Sequence, residues 1–540
     1  ISSENTTGGI NNRNNIFSGL AAAGTLLPFV DLTFKDKLGN PFVNYDAADN
    51  SVMPFYTYKF RDINADIKRV IQGINVNYKV HKFVELDYKY GIDHSRIDRS
   101  EFLANQMSTM TPGKGIDPKS GKLTKDMIQE TQQNSLLSAF LRFDFEKDFD
   151  FNFPLQSTTQ IAYDWRKSDY ERVTGTGTGY GVDPPFTLAT ANTKSSDQYI
   201  SHFVTFGYLI NQKFDYANLL GASFGFRSDY SSAFGEGSKP FTFPRADFYI
   251  RLSELIKSPA LYDLKLRAAY GEAGIQPSAY DRMITASSDI LGDQGYFYLP
   301  STSRNPALGV ERSKEIEFGL DYGISLMKGY WLNKASGSLV YWTRKSTGVI
   351  YTVDMPPSTG TAGIRDNAID LSSKGIQFSM DLDVYKSRNF DWKFGTRFTK
   401  GLTMVDKISN GKPIIIGEGG SGQTAIVEGE PVGAFFGTKP LSSLDQKDSN
   451  GDRYIDEADL NDYEVVNGMV VDKTSKQVQF TAEQEKIGDA TPKFSMSFFN
   501  DFTIHKNVLF SFQFDWVKGA EAYNVSRQWL YRDRIHPDFD

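Results

Sequence analysis

The sequence predicts an all-β fold: a transmembrane antiparallel up-and-down β-barrel, present as a partial barrel with long extracellular loops. Three observations in the 540 residues carry that expectation. Apolar side chains alternate with a strict period of two, connections alternate between tight and long, and the chain holds 14% aromatic residues with 46 Gly against 21 Pro. That balance favours strands and turns over helices.

The alternation is clearest at Ile316, Phe318, Leu320, Tyr322 and Ile324, interleaved with Glu317, Gly319, Asp321 and Gly323. It recurs at Ile376, Phe378, Met380, Leu382 and Val384, at Leu137, Ala139, Leu141, Phe143 and Phe145, at Leu264, Leu266, Ala268 and Tyr270, and at Val508, Phe510, Phe512 and Phe514. Period two gives each strand one apolar and one polar face. Strands of a soluble sandwich alternate as well, so connection length has to decide.

Strands are expected over 67–79, 82–94, 134–147, 151–172, 197–213, 216–230, 241–254, 262–272, 311–324, 329–351, 371–386, 390–405, 493–503 and 507–520. Every second join is tight ("HK", "DFD", "FD"), whereas 95–133 and 173–196 are long. Consecutive turns of an up-and-down sheet lie at opposite ends, so one end collects the tight turns and the other the loops, as in outer-membrane barrels. Strands longer than the ~9–11 residues that cross a bilayer are expected to project beyond it. The run "LRFDFEKDFDFNF" fits an aromatic girdle. An open sheet of roughly fourteen strands leaves two unpaired edges, which lipid does not tolerate, so the chain is expected to be part of a larger barrel.

Composition removes several classes. A net charge of -7 offers no basic field for nucleic acid. With no Cys there is no disulfide scaffold, thiolate metal site or cysteine nucleophile. No run reaches the ~18–20 apolar residues of a membrane helix, and "ISSENTTGGINN" has no signal-peptide character. His81, His94, His202, His505 and His536 are scattered, and no nucleophile elbow is present, so no enzyme is expected and a soluble carbohydrate-active enzyme lacks its catalytic constellation.

Four stretches, "LRAAYGEAGIQPSAY" (266–280), "NPALGVERSKEIEFGLDYGI" (305–324), "YWTRKSTGVIYTVDMPPSTG" (341–360) and "IGDATPKFSMSFFNDF" (487–502), with "VEGEPVGAFFG" (427–437) between them, resemble in order the barrel of SusC/RagA-type TonB-dependent transporters of Bacteroidetes. One departure is Gly309, Val310 and Glu311, where that family tends to have Lys-Trp-Glu. The resemblance implies a barrel of about 22 strands around a plugged lumen, multi-pass in the cell outer membrane. It also implies a SusD-like surface lipoprotein as partner, oligosaccharides or peptides as ligand, and energy delivered by TonB-ExbB-ExbD through a plug. On that basis 1–66 is expected to be an early external loop, 67–405 barrel strands and loops, 406–492 a long external loop, and 493–540 further strands, with the plug and roughly eight strands outside this chain. The runner-up is a barrel recruited as a structural or assembly subunit of a larger outer-membrane complex.

Within 406–492, "KDSNGDRYIDEADL" places Asp448, Asn450, Asp452, the Tyr454 carbonyl, Asp456 and Asp459 at the six ligand positions of an EF-hand loop, a candidate Ca2+ site. Two positions depart: Arg453 stands where Gly usually makes the sharp turn, and Asp459 is shorter than the customary Glu. An acidic solvated turn explains the same residues; on either reading the segment braces a loop. No organic cofactor is expected: "GEGGSG" (417–422) matches G-x-G-x-x-G but has no helix after it to receive a pyrophosphate. "GTGTGYG" (175–181) has the wrong spacing and reads as a flexible loop.

Overall fold

Pairing follows chain order. The computed structural model describes residues 2–7, 35, 37, 39, 61–104, 121–180, 187–234, 239–416 and 424–532. Among them one sheet has sixteen strands, and all but the short segment Thr302–Ser303 succeed one another as antiparallel neighbours. These are β1 (Ser2–Thr7), β2 (Arg61–His81), β3 (Val84–Leu103), β4 (Gly121–Asp144), β5 (Leu155–Tyr180), β6 (Thr193–Tyr216), β7 (Leu220–Ser231), β8 (Phe241–Arg251), β9 (Leu261–Ile275), β10 (Glu311–Ser325), β11 (Lys334–Asp354), β12 (Gly363–Lys386), β13 (Phe390–Ile408), β14 (Phe494–Ile504) and β15 (Val508–Lys518). At one end the joins 82–83, 217–219, 387–389 and 505–507 are tight, as expected, but 145–154, 252–260 and 326–333 at that end run to eight to ten residues, no shorter than 355–362 at the other, so the alternation holds only in part. Among the described residues β1 and β15 are not paired to each other, so the sheet is a wall rather than a closed cylinder.

Register carries the apolar face from strand to strand. Val76, Tyr88, Leu137, Tyr163 and Tyr208 lie opposite one another across β2 to β6. Leu266, Leu320, Leu339, Phe378, Phe398, Met496 and Trp516 do so across β9 to β15. Most of these side chains are exposed, Tyr208 at 52% and Trp516 at 47%. The rows are therefore not sealed under a second layer. A contiguous exposed apolar band of this extent is what a lipid-facing surface requires.

Several strands run beyond their expected limits. β4 begins at Gly121 rather than 134, and β5 continues to Tyr180, with unbroken pairing from Lys122↔Thr178 to Asp144↔Gln156. Both faces of these extensions are largely polar, with Leu123, Met127 and Ile128 at no regular period, so no apolar alternation reveals them. Cross-strand pairs hold them instead: Thr174 Oγ1 donates to Asp126 at 2.6 Å and His94 Nδ1 lies 2.8 Å from Thr131 Oγ1. "GTGTGYG" is therefore largely strand and not a flexible loop. Its glycines make room at the tip, where a Cβ on Gly175 would stand 2.6 Å from Leu188 and one on Gly177 2.7 Å from Ala191. Leu123, Tyr180 and Ala191 bury together there.

The expected tight join "DFD" is a short helix, α1 (Phe145–Phe149). Asp144 caps it by accepting from the Lys147 amide, and Asp150 closes it at φ 55. Phe83, Phe143, Phe145, Phe149 and Phe151 pack around this turn with centroids 5.1 to 6.3 Å apart, and Trp331, Tyr385, Phe390 and Phe502 continue the ring cluster at the same end.

At the chain's start, Ser2–Thr7 is a strand on β2 and not part of an external loop, and residues 61–66 continue β2. Apart from positions 35, 37 and 39, the rest of that expected loop lies outside the described residues, as do 417–422. After β15 the chain forms a helix, α2 (Val525–Arg532), in place of further strand. The 406–492 segment is itself folded. It holds a small sheet of Ile414–Ile416, Thr424–Ile426, Ala434–Gly437 and Glu485–Asp489, a hairpin of Tyr463–Val466 and Met469–Asp472, and a core of Leu441, Ile455 and Val470.

Candidate functional site

The face opposite the apolar band is polar, and its charges are paired. On β5 to β7 the Asp164 carboxylate, 9% exposed, accepts from Arg166 at 2.9 Å and from Arg227 at 2.8 Å, while Arg227 also reaches Asp229 at 2.6 Å. On β9 and β10 Arg267 bridges Glu317 and Asp321. On β12 and β13 Arg397 meets Asp381 at 2.8 Å. Charge on this wall suits water or a polar occupant; on the other face it would meet lipid.

Two clefts open on it. The larger, about 760 Å³, is lined by Arg166, Phe203, Arg227, Phe243, Arg245 and Gln276 among others. The smaller, about 440 Å³, lies around Asp381, Lys393, Arg397, Phe499 and Asp501. Guanidiniums beside phenyl rings supply directed donors and apolar faces together, a lining that accommodates a polar solute. Sequence reading placed Glu317, Asp321 and Asp381 on polar strand faces but assembled no site from these residues. They are scattered over nine strands, and only register brings them to one wall.

Above the larger cleft, 276–310 is tied down by Asp281, whose side chain is 3% exposed. It accepts from Arg304 at 2.8 Å and from the Ser278 amide at 3.0 Å, with Arg365 at 3.4 Å. From this anchored loop the hairpin Ser287–Leu291 and Gln294–Tyr298 presents Tyr296, Phe297 and Tyr298, with Phe297 81% exposed. The departure at Gly309 also has a partner: Asn367 accepts from its amide at 2.6 Å and donates to its carbonyl.

The acidic loop forms a closed turn. Asp448 Oδ1 accepts the amides of Asp452 and Asn450 at 2.8 and 2.9 Å, and Oδ2 accepts from Asn450 Nδ2 at 3.2 Å. These amides, Asp452 foremost, hold its carboxyl below the ordinary range. The left-handed residue is Gly451, φ 92, so Arg453 does not have to make the sharp turn; it pairs with Glu457 at 3.5 Å. Ile455 is buried, and Asp456 precedes a 3-10 helix, Glu457–Asp462, without capping it through its side chain. The Tyr454 phenol donates to Glu483 at 2.6 Å, which pushes its pKa up to about 12. Among the described residues no three acidic or histidine side chains converge as a metal-holding group, so Asp448, Asp452, Asp456 and Asp459 share a turn without forming a closed cage.

Comparison with known proteins follows the same outline. The family described as "TonB dependent receptor-like, beta-barrel" matches residues 3–525. TonB-dependent receptor P26 of Formosa agariphila is 26% identical over 397 residues, 70% of this chain and 38% of that protein. TonB-dependent receptor P3 of the same organism is 27% identical over 340 residues, 58% of this chain and 32% of that protein. Among solved structures, the RagAB peptide transporter aligns with a TM-score of 0.70 at 15% identity, covering 88% of this chain and 50% of that one. The chain thus spans about a third of each of the two receptors and half of the solved structure.

Proposed function

Because the chain belongs to the TonB-dependent receptor β-barrel family, we propose that it forms part of the wall of an outer-membrane importer. The importer takes up oligosaccharides or peptides, works with a SusD-like surface lipoprotein and is driven by TonB-ExbB-ExbD. The observation that carries this reading is the two-faced wall, with exposed apolar rows on one side and paired charges around two clefts on the other. The likeness to a peptide transporter supports the fold; the mixed charged and aromatic lining supports a polar cargo. The exposed Tyr296, Phe297 and Tyr298 offer faces for sugar rings or for the lipoprotein.

The test is uptake of labelled oligosaccharides and peptides by cells carrying or lacking the full-length gene, with and without a proton gradient. Gradient-dependent uptake of one class, lost on deletion, supports the proposal. Assembly of a stable envelope complex with no solute uptake favours the structural-subunit reading instead.

We also infer that the acidic loop takes Ca2+ through Asp448, Asn450, Asp452, the Tyr454 carbonyl, Asp456 and Asp459. Support comes from the spacing of these oxygens, the turn at Gly451 and the Ile455 anchor. Binding would have to draw the carboxylates inward and so slow amide exchange over 448–459. Exchange unchanged at millimolar calcium would leave a plain acidic turn.

A further inference from the structure

On β10 to β15 the lipid-side face changes from apolar to cationic at one level. Immediately beyond Ile316, Ile376, Phe398 and Trp516, on the loop side, stand Lys314, Lys374, Lys400 and Lys518, and beyond Tyr341, past Thr343, stands Lys345. Register puts them on the apolar face: Lys345 lies opposite Lys314, Lys374 opposite Thr343, Lys400 opposite Ile376, and Lys518 opposite Phe494. Their depth is nearly constant. From Ser325 to Lys314, Lys334 to Lys345, Lys386 to Lys374, Phe390 to Lys400 and Val508 to Lys518, each sits ten to twelve residues from the tight-turn end of its strand.

The offsets between neighbours match strand tilt. From β11 to β12, and again from β12 to β13, the lysine shifts by two residues relative to its cross-strand partner, while Lys314 and Lys345 are directly opposed. Four residues along the strands, about 13 Å, against three strand spacings, about 14 Å, make an angle of about 40°, the usual tilt of membrane barrels. Tilted in that way, the four lysines of β10 to β13 lie in one plane parallel to the bilayer. Ten to twelve residues at that tilt rise about 25–30 Å, the height of an apolar band.

Partners are scarce. Lys314 shares Glu272 with Arg312, at 3.4 and 2.8 Å. Lys345, Lys374, Lys400 and Lys518 are exposed and have no carboxylate partner among the described residues; Lys518 lies over the Phe494 ring at 5.9 Å. Asp406, further along β13, accepts from Ser372.

We propose that Lys345, Lys374 and Lys400 form a docking row for phosphate-bearing lipid headgroups of the loop-side leaflet. The assignment rests on the proposed membrane wall. Charge complementarity and direct continuity with the apolar band select a lipid, because an amphiphile seats its chains on Phe378 and Phe398 while its phosphate meets the ammonium groups.

The test uses the full-length protein reconstituted in bilayers of phosphatidylcholine alone and of phosphatidylcholine mixed equally with phosphatidylglycerol. Lipid retained after solubilisation is counted by native mass spectrometry. The wild type should retain phosphatidylglycerol in excess over the bulk. The K345Q/K374Q/K400Q variant should lose that excess, by up to about fivefold per lysine. A charge-matched control, K68Q/K125Q/K194Q on the projecting strands β2, β4 and β6, should keep it. Equal retention by the two variants overturns the proposal while leaving the membrane wall intact. Complete displacement by inorganic phosphate would make the row a free-anion site and overturn the lipid assignment. Failure to insert into either bilayer would sink the wall and the row together.

Discussion

The two halves of the wall handle the lipid boundary differently. From β2 to β6, strands of 20 to 26 residues cross the apolar band and continue well past it with both faces polar. Some cations on that continuation have partners close by, Lys68 with Asp66, Arg96 with Asp98 and Lys167 with Asp169, while Lys122, Lys125 and Lys194 have no carboxylate partner among the described residues. From β10 to β15 the boundary is marked by Lys314, which shares Glu272 with Arg312, and by Lys345, Lys374, Lys400 and Lys518, which have no carboxylate partner among the described residues, and the loop side passes to folded insertions. The apolar band is common to both halves, whereas the charge above it is local. Exposure to lipid is therefore the shared requirement, and how the charge above the band is paired varies from place to place.

The largest expected effect tests that shared requirement. Phe318→Arg places a charge in the band and should cost about 2–4 kcal/mol of folding free energy in a bilayer, whereas Gln129→Arg on the projecting part of β4 should stay within about 0.5 kcal/mol. Denaturant titration in lipid vesicles measures both; equal costs would erase the boundary. A smaller effect separates the polar faces of the two halves. Asp164→Asn removes an acid 9% exposed that two guanidiniums share, for about 1–3 kcal/mol. Asp381→Asn, at a pair 46% and 56% exposed, should cost no more than about 1 kcal/mol.

The smallest effect lies in the folded insertion above β13 and concerns pH. Tyr454 holds its proton more tightly in the fold, at about 12 against an ordinary 10.0, because Glu483 accepts its hydrogen bond. The stabilisation is complete below pH 10 and is lost as pH rises through 12. Phenolate absorbance should show this high titration, and Glu483→Gln should return it toward 10.0; an unchanged midpoint would mean that the bond contributes nothing.

How much was legible in the sequence depends on where two-residue alternation is physically required. At Ile316 to Ile324 one face meets lipid and the other a polar lumen wall, so the strand is written into the residues. At "KLTKDMIQETQQN" most side chains on both faces are polar, no apolar period survives, and pairing with β3 and β5 makes it strand. The short helix at Phe145–Phe149 was hidden because its phenylalanines also satisfy a strand pattern; the Asp144 cap and the left-handed Asp150 decide it. The acidic spacing at 448–459 was readable, but the placement of its sharp turn at Gly451 was not. The clefts and the lysine row depend on register across many strands, which no local stretch of sequence encodes.

The absence of cysteine from this chain permits the most direct test, spin labels placed one at a time along 375–380 of β12 in the reconstituted full-length protein. Labels at positions 376, 378 and 380 should be open to oxygen dissolved in lipid and closed to a water-soluble nickel chelate, with 375, 377 and 379 reversed. A flat profile, or chelate access at 376 and 378, would contradict a lipid-facing wall.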